Sequence, residues 1–91
     1  MANVVITMRI MPNSPEEDLS IIEKKATTFI SAFGGEVGKV IKEPVAFGLT
    51  ALILMFISDE KKGGTEKLEE EVSQIDGVTS CEVTDVRRTV G

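Results

Sequence analysis

Apolar side chains occupy every second position near the start of the chain, at Val4, Ile6, Met8 and Ile10. A period of two is typical of a β-strand that buries one face. Segment 12–15 interrupts this pattern with two prolines, which cannot donate backbone hydrogen bonds. The sequence therefore predicts a first strand that ends at this segment.

The next segment has the period of an α-helix. Ser14 is suited to be its N-cap, Pro15 its first residue, and Glu17 the partner of the cap in a capping box. Gly34 and Gly35 then stop the helix, because glycine readily adopts the left-handed conformation that follows a helix. The apolar residues between these ends form one face: Leu19, Ile22, Ala26, Phe29, Ile30 and Phe33.

Four further elements follow. Residues 37–43 predict a short strand whose two lysines favour a sheet edge, and residues 49–57 predict an almost wholly apolar, central strand. Thr65 is placed to cap a second helix, which Gly77 ends. Residues 78–86 are partly polar and predict a last strand at the other edge.

The predicted order is β-α-β-β-α-β. Right-handed crossovers interleave the two β-α-β units, so that the first and third strands lie in the middle of the sheet. These are also the two most apolar strands. We therefore predict an α+β, ferredoxin-like fold, with a four-stranded antiparallel sheet and two helices on one face, in which residues 1–91 make a single domain.

The other face of this sheet would be partly open. Leu52, Leu54 and Phe56 alternate along the third strand, and we expect them on the open face. A partly covered sheet face is the simpler interpretation of these residues. A dimer or partner surface is the alternative.

Composition excludes several classes of function. The net charge of −5 and the absence of Tyr and Trp argue against direct nucleic-acid binding. Without histidine and with one cysteine, neither a catalytic residue nor a metal site or cofactor is expected. That single cysteine favours a reducing cytoplasm, and no apolar run is long enough for a membrane span.

The segment 43–49 stands out as a turn that presents an aromatic side chain. Pro44 ends the strand before it, and Gly48 permits a tight return into the next strand. Phe47 therefore lies at or near the tip of the loop, where its own chain would bury it poorly. A ring in such a position often binds another molecule.

Several segments together resemble the archaeal branch of the translation elongation factor 1-beta family, the nucleotide exchange factors of the GTPase elongation factor 1-alpha. The likeness covers nearly the whole chain and depends on the order and spacing of its motifs. They are Met11-Pro12, Ser14-Pro15, segment 43–49, Gly63-Gly64-Thr65-Glu66 and segment 83–88. The resemblance implies a ferredoxin-like fold and guanine nucleotide exchange.

The resemblance also implies which residues contact the GTPase. In the loop these are Ala46, Phe47 and Gly48, with the ring docked near the second domain of the partner. In the last strand they are Asp85, Arg87 and Arg88. The basic residue at Arg88 is implied to enter the nucleotide site and disturb magnesium coordination, and Arg87 is the second candidate for this role.

This function requires the ring and the terminal positive charge to be presented together. Phe47 packed onto its own sheet, and a solvated pair of arginines, are the structural alternatives. Segment 63–65 is more simply a turn with a helix cap than an anion-binding nest. The competing function is a small-molecule-sensing domain that dimerises through its sheet, whereas the exchange function is expected of a monomer or weak dimer. An acylphosphatase-like enzyme is rejected because segment 12–15 lacks the arginine that it needs.

Overall fold

The computed structural model of the chain describes residues 3–59, 61 and 64–88. Its elements follow the predicted order β-α-β-β-α-β. In chain order they are β1 (Asn3–Pro12), α1 (Leu19–Phe33), β2 (Glu36–Pro44), β3 (Thr50–Asp59), α2 (Glu66–Ser73) and β4 (Val78–Arg88). Among these described residues, neither helix combines the length and the apolar character that crossing a bilayer requires.

The four strands form one antiparallel sheet in the order β2-β3-β1-β4. β1 and β3 lie in the middle, as their apolar character predicts, and β2 and β4 lie at the edges. Both helices pack against the same face of the sheet through their apolar sides. The predicted ferredoxin-like α+β fold is therefore confirmed.

The pairing of β1 with β3 determines which side chains reach the core. Its register continues without a shift from the start of β1 to Ile10, which lies opposite Leu52. Leu52, Leu54 and Phe56 are fully buried in the cluster that the helices cover. The expectation that these three residues lie on the open face is therefore wrong. Because strand residues alternate, the open face carries the intervening ones, Ile53, Met55 and Ile57.

β-bulges interrupt both edge strands. One extra residue is inserted in β2 at Gly38, and β4 contains extra residues at Thr79 and Thr84. A bulge bends and twists a strand, which makes its edge a poor template for pairing with another sheet. The bulge at Thr84 also sets which face each later residue of β4 occupies.

The start of α1 differs from the prediction. Asp18, not Ser14, is the N-cap, and its carboxylate accepts a hydrogen bond from the N–H of Ser20 at 2.9 Å. The hydroxyl of Ser14 instead accepts from the N–H of Glu16 at 3.3 Å, within a tight turn. Asp18 has an extended backbone, with φ −82° and ψ 103°, so the helix begins only at Leu19. A strong N-cap residue directly before the apolar face thus replaces the predicted capping box.

The ends of α2 agree with the prediction in part. Thr65 occupies the N-cap position, although its side chain makes no capping hydrogen bond. The helix ends at Ser73, with Gln74 as its C-cap, before the predicted Gly77. Gly77 has a φ of 94° and lies in the turn that leads into β4, where a Cβ would be 2.8 Å from Glu17 Oε1.

The turn between α1 and β2 allows a test of core packing. α1 ends at Phe33, with the predicted Gly34 as its left-handed C-cap. A Cβ on Gly35 would lie 2.8 Å from Phe56 Cδ2 and 2.9 Å from Ile30 Cγ2. We therefore expect Gly35→Ala to lower the free energy of unfolding by about 1–3 kcal/mol, the usual cost of overpacking a core. Chemical denaturation of the variant and the parent measures this difference.

Gly38→Ala is the matched control. The nearest atom to a Cβ at that position is the Met55 carbonyl oxygen, 4.0 Å away, so the methyl group has room. We expect the free energy of unfolding to change by less than about 0.5 kcal/mol. An equal loss in both variants would mean that the cost arises from replacing glycine in the backbone and not from crowding against the core.

Candidate functional site

A tight hairpin turn joins β2 to β3 at one end of the sheet. β2 ends at Pro44, and the chain returns into β3 directly after Leu49. The N–H of Leu49 donates to the carbonyl oxygen of Ala46 at 3.3 Å. The N–H of Val45 donates in turn to the carbonyl oxygen of Leu49 at 2.8 Å. These hydrogen bonds hold the two residues at the tip in a fixed conformation.

Phe47 and Gly48 are those two residues. Their φ values are 62° and 74°, and a pair of left-handed residues in this position is the geometry of a type I′ turn. Glycine adopts such a conformation readily, whereas a bulky side chain does so at a cost of about 1–3 kcal/mol. Phe47 is the one non-glycine residue with positive φ in the part of the chain that the structure describes. The backbone is therefore strained at the aromatic residue.

The ring of Phe47 is also 93% exposed, so it does not pack back onto its own sheet. Ala46 and Gly48 on either side are exposed too, and because their side chains are small or absent the ring stands clear of its neighbours. The ring takes no part in the core, and the backbone at Phe47 is strained. The residue therefore does not stabilise its own chain. That the ring binds another molecule stays a prediction, with which both features agree.

The other candidate residues lie near the end of β4. Asp85 and Arg87 lie on the open face of the sheet, and Arg87 Nε donates to Asp85 Oδ2 at 2.7 Å. An exposed ion pair of this kind stabilises a fold by less than about 1 kcal/mol. Arg87 lies opposite Val5 and Arg88 opposite Val4. Because neighbouring strand residues point to opposite faces, Arg88 lies on the helix side and the two arginines are not interchangeable.

The structure does not bring Phe47 and the arginines together. β3 is antiparallel to β1, so the hairpin turn lies beyond the Pro12 end of β1, whereas Arg88 pairs with Val4 near its start. The strand between Val4 and Pro12 is about 26 Å long. The described chain measures 41 Å along its longest axis. The ring and the terminal charge therefore lie at opposite ends of the sheet, whereas the expected function needs both to be presented to one GTPase.

The glycine–threonine motif lies at the arginine end of the sheet. Gly64 and Thr65 line a cavity of about 270 Å³ with apolar side chains of β1 and β4, while Gly63 is outside the described residues. Asp59 and Glu66 also line this cavity, and their carboxylates would repel an anion. This geometry supports the interpretation as a turn before a helix and disfavours an anion nest.

Comparison with known families identifies the class of protein. A family model described as the EF-1 guanine nucleotide exchange domain matches residues 5–89. The chain belongs to this family. Its function is therefore guanine nucleotide exchange in translation elongation, as the resemblance of its motifs implies.

Curated relatives agree with this assignment. Elongation factor 1-beta of Methanothermobacter thermautotrophicus is 47% identical over 97% of this chain and 98% of its own length. The proteins of the same name in Methanobrevibacter smithii and Methanosarcina barkeri are 43% and 39% identical, again over 97% of this chain. These relatives are archaeal, which confirms the predicted branch of the family.

Solved structures at lower identity share the fold. The ACT domain from GTP pyrophosphokinase of Chlorobium tepidum matches with a TM-score of 0.59 at 17% identity, covering 89% of this chain and 97% of that domain. The de novo designed protein Foldit4 matches with a TM-score of 0.60 at 22% identity, covering 98% of both chains. At such identities the likeness concerns the fold alone. The family match does not favour a small-molecule-sensing domain.

The strain at Phe47 leads to a stability prediction. Asparagine tolerates the left-handed region better than phenylalanine and is favoured before glycine in type I′ turns. We expect Phe47→Asn to raise the free energy of unfolding by about 1 kcal/mol, as measured by chemical denaturation. Phe47→Tyr keeps both ring and strain, and should change stability by less than about 0.5 kcal/mol. A less stable Phe47→Asn protein would mean that the ring supports its own fold.

Proposed function

We propose that this chain binds the GTPase elongation factor 1-alpha, promotes release of GDP and so allows GTP to reload during protein synthesis. Residues 1–91 act as one exchange domain in the cytoplasm, by binding alone and without covalent chemistry. The magnesium and nucleotide in this process belong to the GTPase. The exposed ring and strained backbone of Phe47, in a chain of a nucleotide exchange family, are the observations that carry the proposal.

Exchange of this kind follows from thermodynamic linkage. GDP and magnesium hold a GTPase in one state through contacts to phosphate and metal. A protein that binds more tightly when those contacts are broken lowers the affinity for nucleotide, and the nucleotide lowers the affinity for that protein by the same factor. The exchange domain therefore needs an anchor that provides binding energy and a group that weakens the nucleotide site.

Phe47 is the proposed anchor. Its ring is fully presented before binding, because the hydrogen-bonded turn fixes the backbone on both sides of it. A preordered aromatic side chain loses little conformational entropy when a partner covers it. Ala46 and Gly48 allow the surface of the GTPase to approach the backbone closely. Anchors of this type contribute on the order of 2 kcal/mol or more to binding.

The end of β4 is proposed to act on the nucleotide site. A guanidinium near the magnesium would compete with the metal by its charge and disturb the phosphate contacts. Arg88 is the first candidate, because it matches the basic residue of the family motif. Arg87 is paired with Asp85 on the other face of the strand, which suits a supporting contact with the GTPase.

The separation of Phe47 from the arginines indicates two points of contact on one large partner. A globular domain of about 200 residues is roughly 40 Å across, so a single GTPase can reach both ends of a sheet of this length. Docking of the ring at one end would then orient the cationic end towards the nucleotide. Ring and charge would then be presented together to one GTPase, at two separate points.

A protein partner also suits the charge of the chain. At a net charge of −5, phosphate backbones would be repelled, and we propose no direct contact with nucleic acid or with a membrane. The edge strands are bulged, which discourages association through sheet edges. We propose that the chain acts as a monomer or weak dimer.

Release of a fluorescent GDP from elongation factor 1-alpha tests the function. A stoichiometric amount of the chain should accelerate release, and Phe47→Asn should raise the dissociation constant of the complex by about 30-fold, the equivalent of about 2 kcal/mol. Because this variant is expected to be at least as stable as the parent, weaker binding cannot be ascribed to unfolding. If the unmodified chain leaves the release rate unchanged, the proposed function is wrong.

The roles of the arginines are separable by the same assay. Arg88→Ala should lower the maximal rate of GDP release at saturating exchange factor by tenfold or more, about 1.4 kcal/mol, while the dissociation constant changes by less than about threefold. Arg87→Ala removes the same charge from the other face of the strand and is the matched control. A slower maximal rate in Arg87→Ala alone would assign the role to Arg87 instead.

A further inference from the structure

The bulge at Thr84 decides how the end of β4 presents its side chains. Val83 lies opposite Met8 and Asp85 opposite Thr7, so Thr84 is the extra residue between them. Beyond a bulge the alternation of a strand is shifted by one position. If β4 kept all its residues but paired regularly, without a bulge at Thr84, every side chain from position 85 onwards would lie on the opposite face of the sheet.

With the bulge in place, each residue beyond it lies on a face of the sheet that fits its polarity. Val86 lies opposite Ile6, and both line the apolar part of the cavity at this end of the sheet. Asp85 and Arg87 then share the open face, where they form their ion pair. Regular pairing without the bulge would place Val86 on the open face and exchange the faces on which the two arginines lie.

A side chain from α2 holds the backbone at this bulge. The N–H of Val83, the residue before the extra Thr84, donates to Glu69 Oε1 at 2.6 Å. A carboxylate that accepts from a backbone amide makes a charge-assisted hydrogen bond, which is stronger than one between neutral groups. The hydroxyl of Thr84 is 3.4 Å from the carbonyl oxygen of Thr7 and adds a weaker contact to β1.

Glu69 is itself held in place by the core. Leu68, the residue before it, is 1% exposed, and Val72 on the next turn of α2 is fully buried. The helix therefore cannot rotate to move the carboxylate away without losing core contacts. The pKa of the nearby Cys81 thiol is raised to about 12. Burial is the main cause, and the negative charge of Glu69 is the second.

We propose that Glu69 is a positioning residue, whose carboxylate fixes the bulge of β4 and thereby sets the faces on which Asp85, Arg87 and Arg88 are presented to a partner. The consequence for exchange rests on the proposed function of the chain. The structural part concerns the isolated chain and is measured without any GTPase. Glu69 contacts neither nucleotide nor partner in this scheme and acts through the backbone of β4.

Two variants remove the contact. Glu69→Ala deletes the carboxylate, and Glu69→Asp keeps the charge but shortens the side chain by one methylene group. Glu69→Gln retains an acceptor oxygen at the original position and serves as the rescue. Glu70→Ala is the matched control, because Glu70 is an exposed carboxylate on the same helix.

Nuclear magnetic resonance of each variant measures the bulge directly. In Glu69→Ala and Glu69→Asp we expect the Val83 amide to exchange with solvent at least about tenfold faster than in the parent. We also expect the cross-strand contacts between Val5 and Arg87 to weaken or shift register. Glu69→Gln and Glu70→Ala should retain both features. If Glu69→Ala fails to fold, Glu69→Asp decides the question alone.

Kinetics then separate positioning from general damage. In the GDP release assay, Glu69→Asp should lower the maximal rate by about fivefold or more, while the affinity set by the Phe47 end should change by less than about twofold. Glu69→Gln should restore the rate. Parental amide exchange and parental Val5–Arg87 contacts in Glu69→Asp would overturn the inference. If the parent chain itself does not release GDP, the proposed function fails, and the resonance data still decide the role of Glu69.

Discussion

Backbone pairing between β1 and β3 determines which side chains enter the core and at which ends of the sheet the two candidate contact regions lie. The register of the two strands contains no shift, so that one alternating set of side chains faces the helices along their whole length. Ile6, Met8 and Ile10 from β1 thus meet Phe56, Leu54 and Leu52 from β3 in one buried layer. Because the strands are antiparallel, the same pairing sends the hairpin turn to one end of the sheet and the end of β4 to the other.

The two ends of the sheet are built in different ways. At the hairpin, two consecutive left-handed residues give a tight return, with a strained backbone and an exposed ring at Phe47. Towards the other end, Glu69 of α2 accepts a hydrogen bond from the backbone beside the Thr84 bulge, and Asp85 and Arg87 form an exposed ion pair on the strand. Both regions depend on the central strands for their orientation. A rigid scaffold with specialised ends is a common arrangement for proteins that act by binding.

The sequence predicted the element order, the central strands and the exposed loop tip, because period and turn chemistry act locally. It did not predict on which face of the sheet each side chain lies. Val83 and Val86 are three positions apart where a regular strand needs two, and Val37 and Val40 repeat this spacing across Gly38. Such spacing indicates a bulge and was available in the sequence. The left-handed conformation of the ring residue, and the distance between the two ends, depend on turn type and register, which only the folded chain defines.

The unshifted central pair has a further consequence for how such a molecule can evolve. If the two ends must match two places on one partner, the length of the sheet sets the distance between the two contacts. Adding a single residue to both central strands would reverse inside and outside, so a workable change comes in steps of two, or about 7 Å. The length of the central strands can therefore change only in steps of that size. Smaller changes in the distance between the two ends are left to the turn and to the last residues of the edge strand.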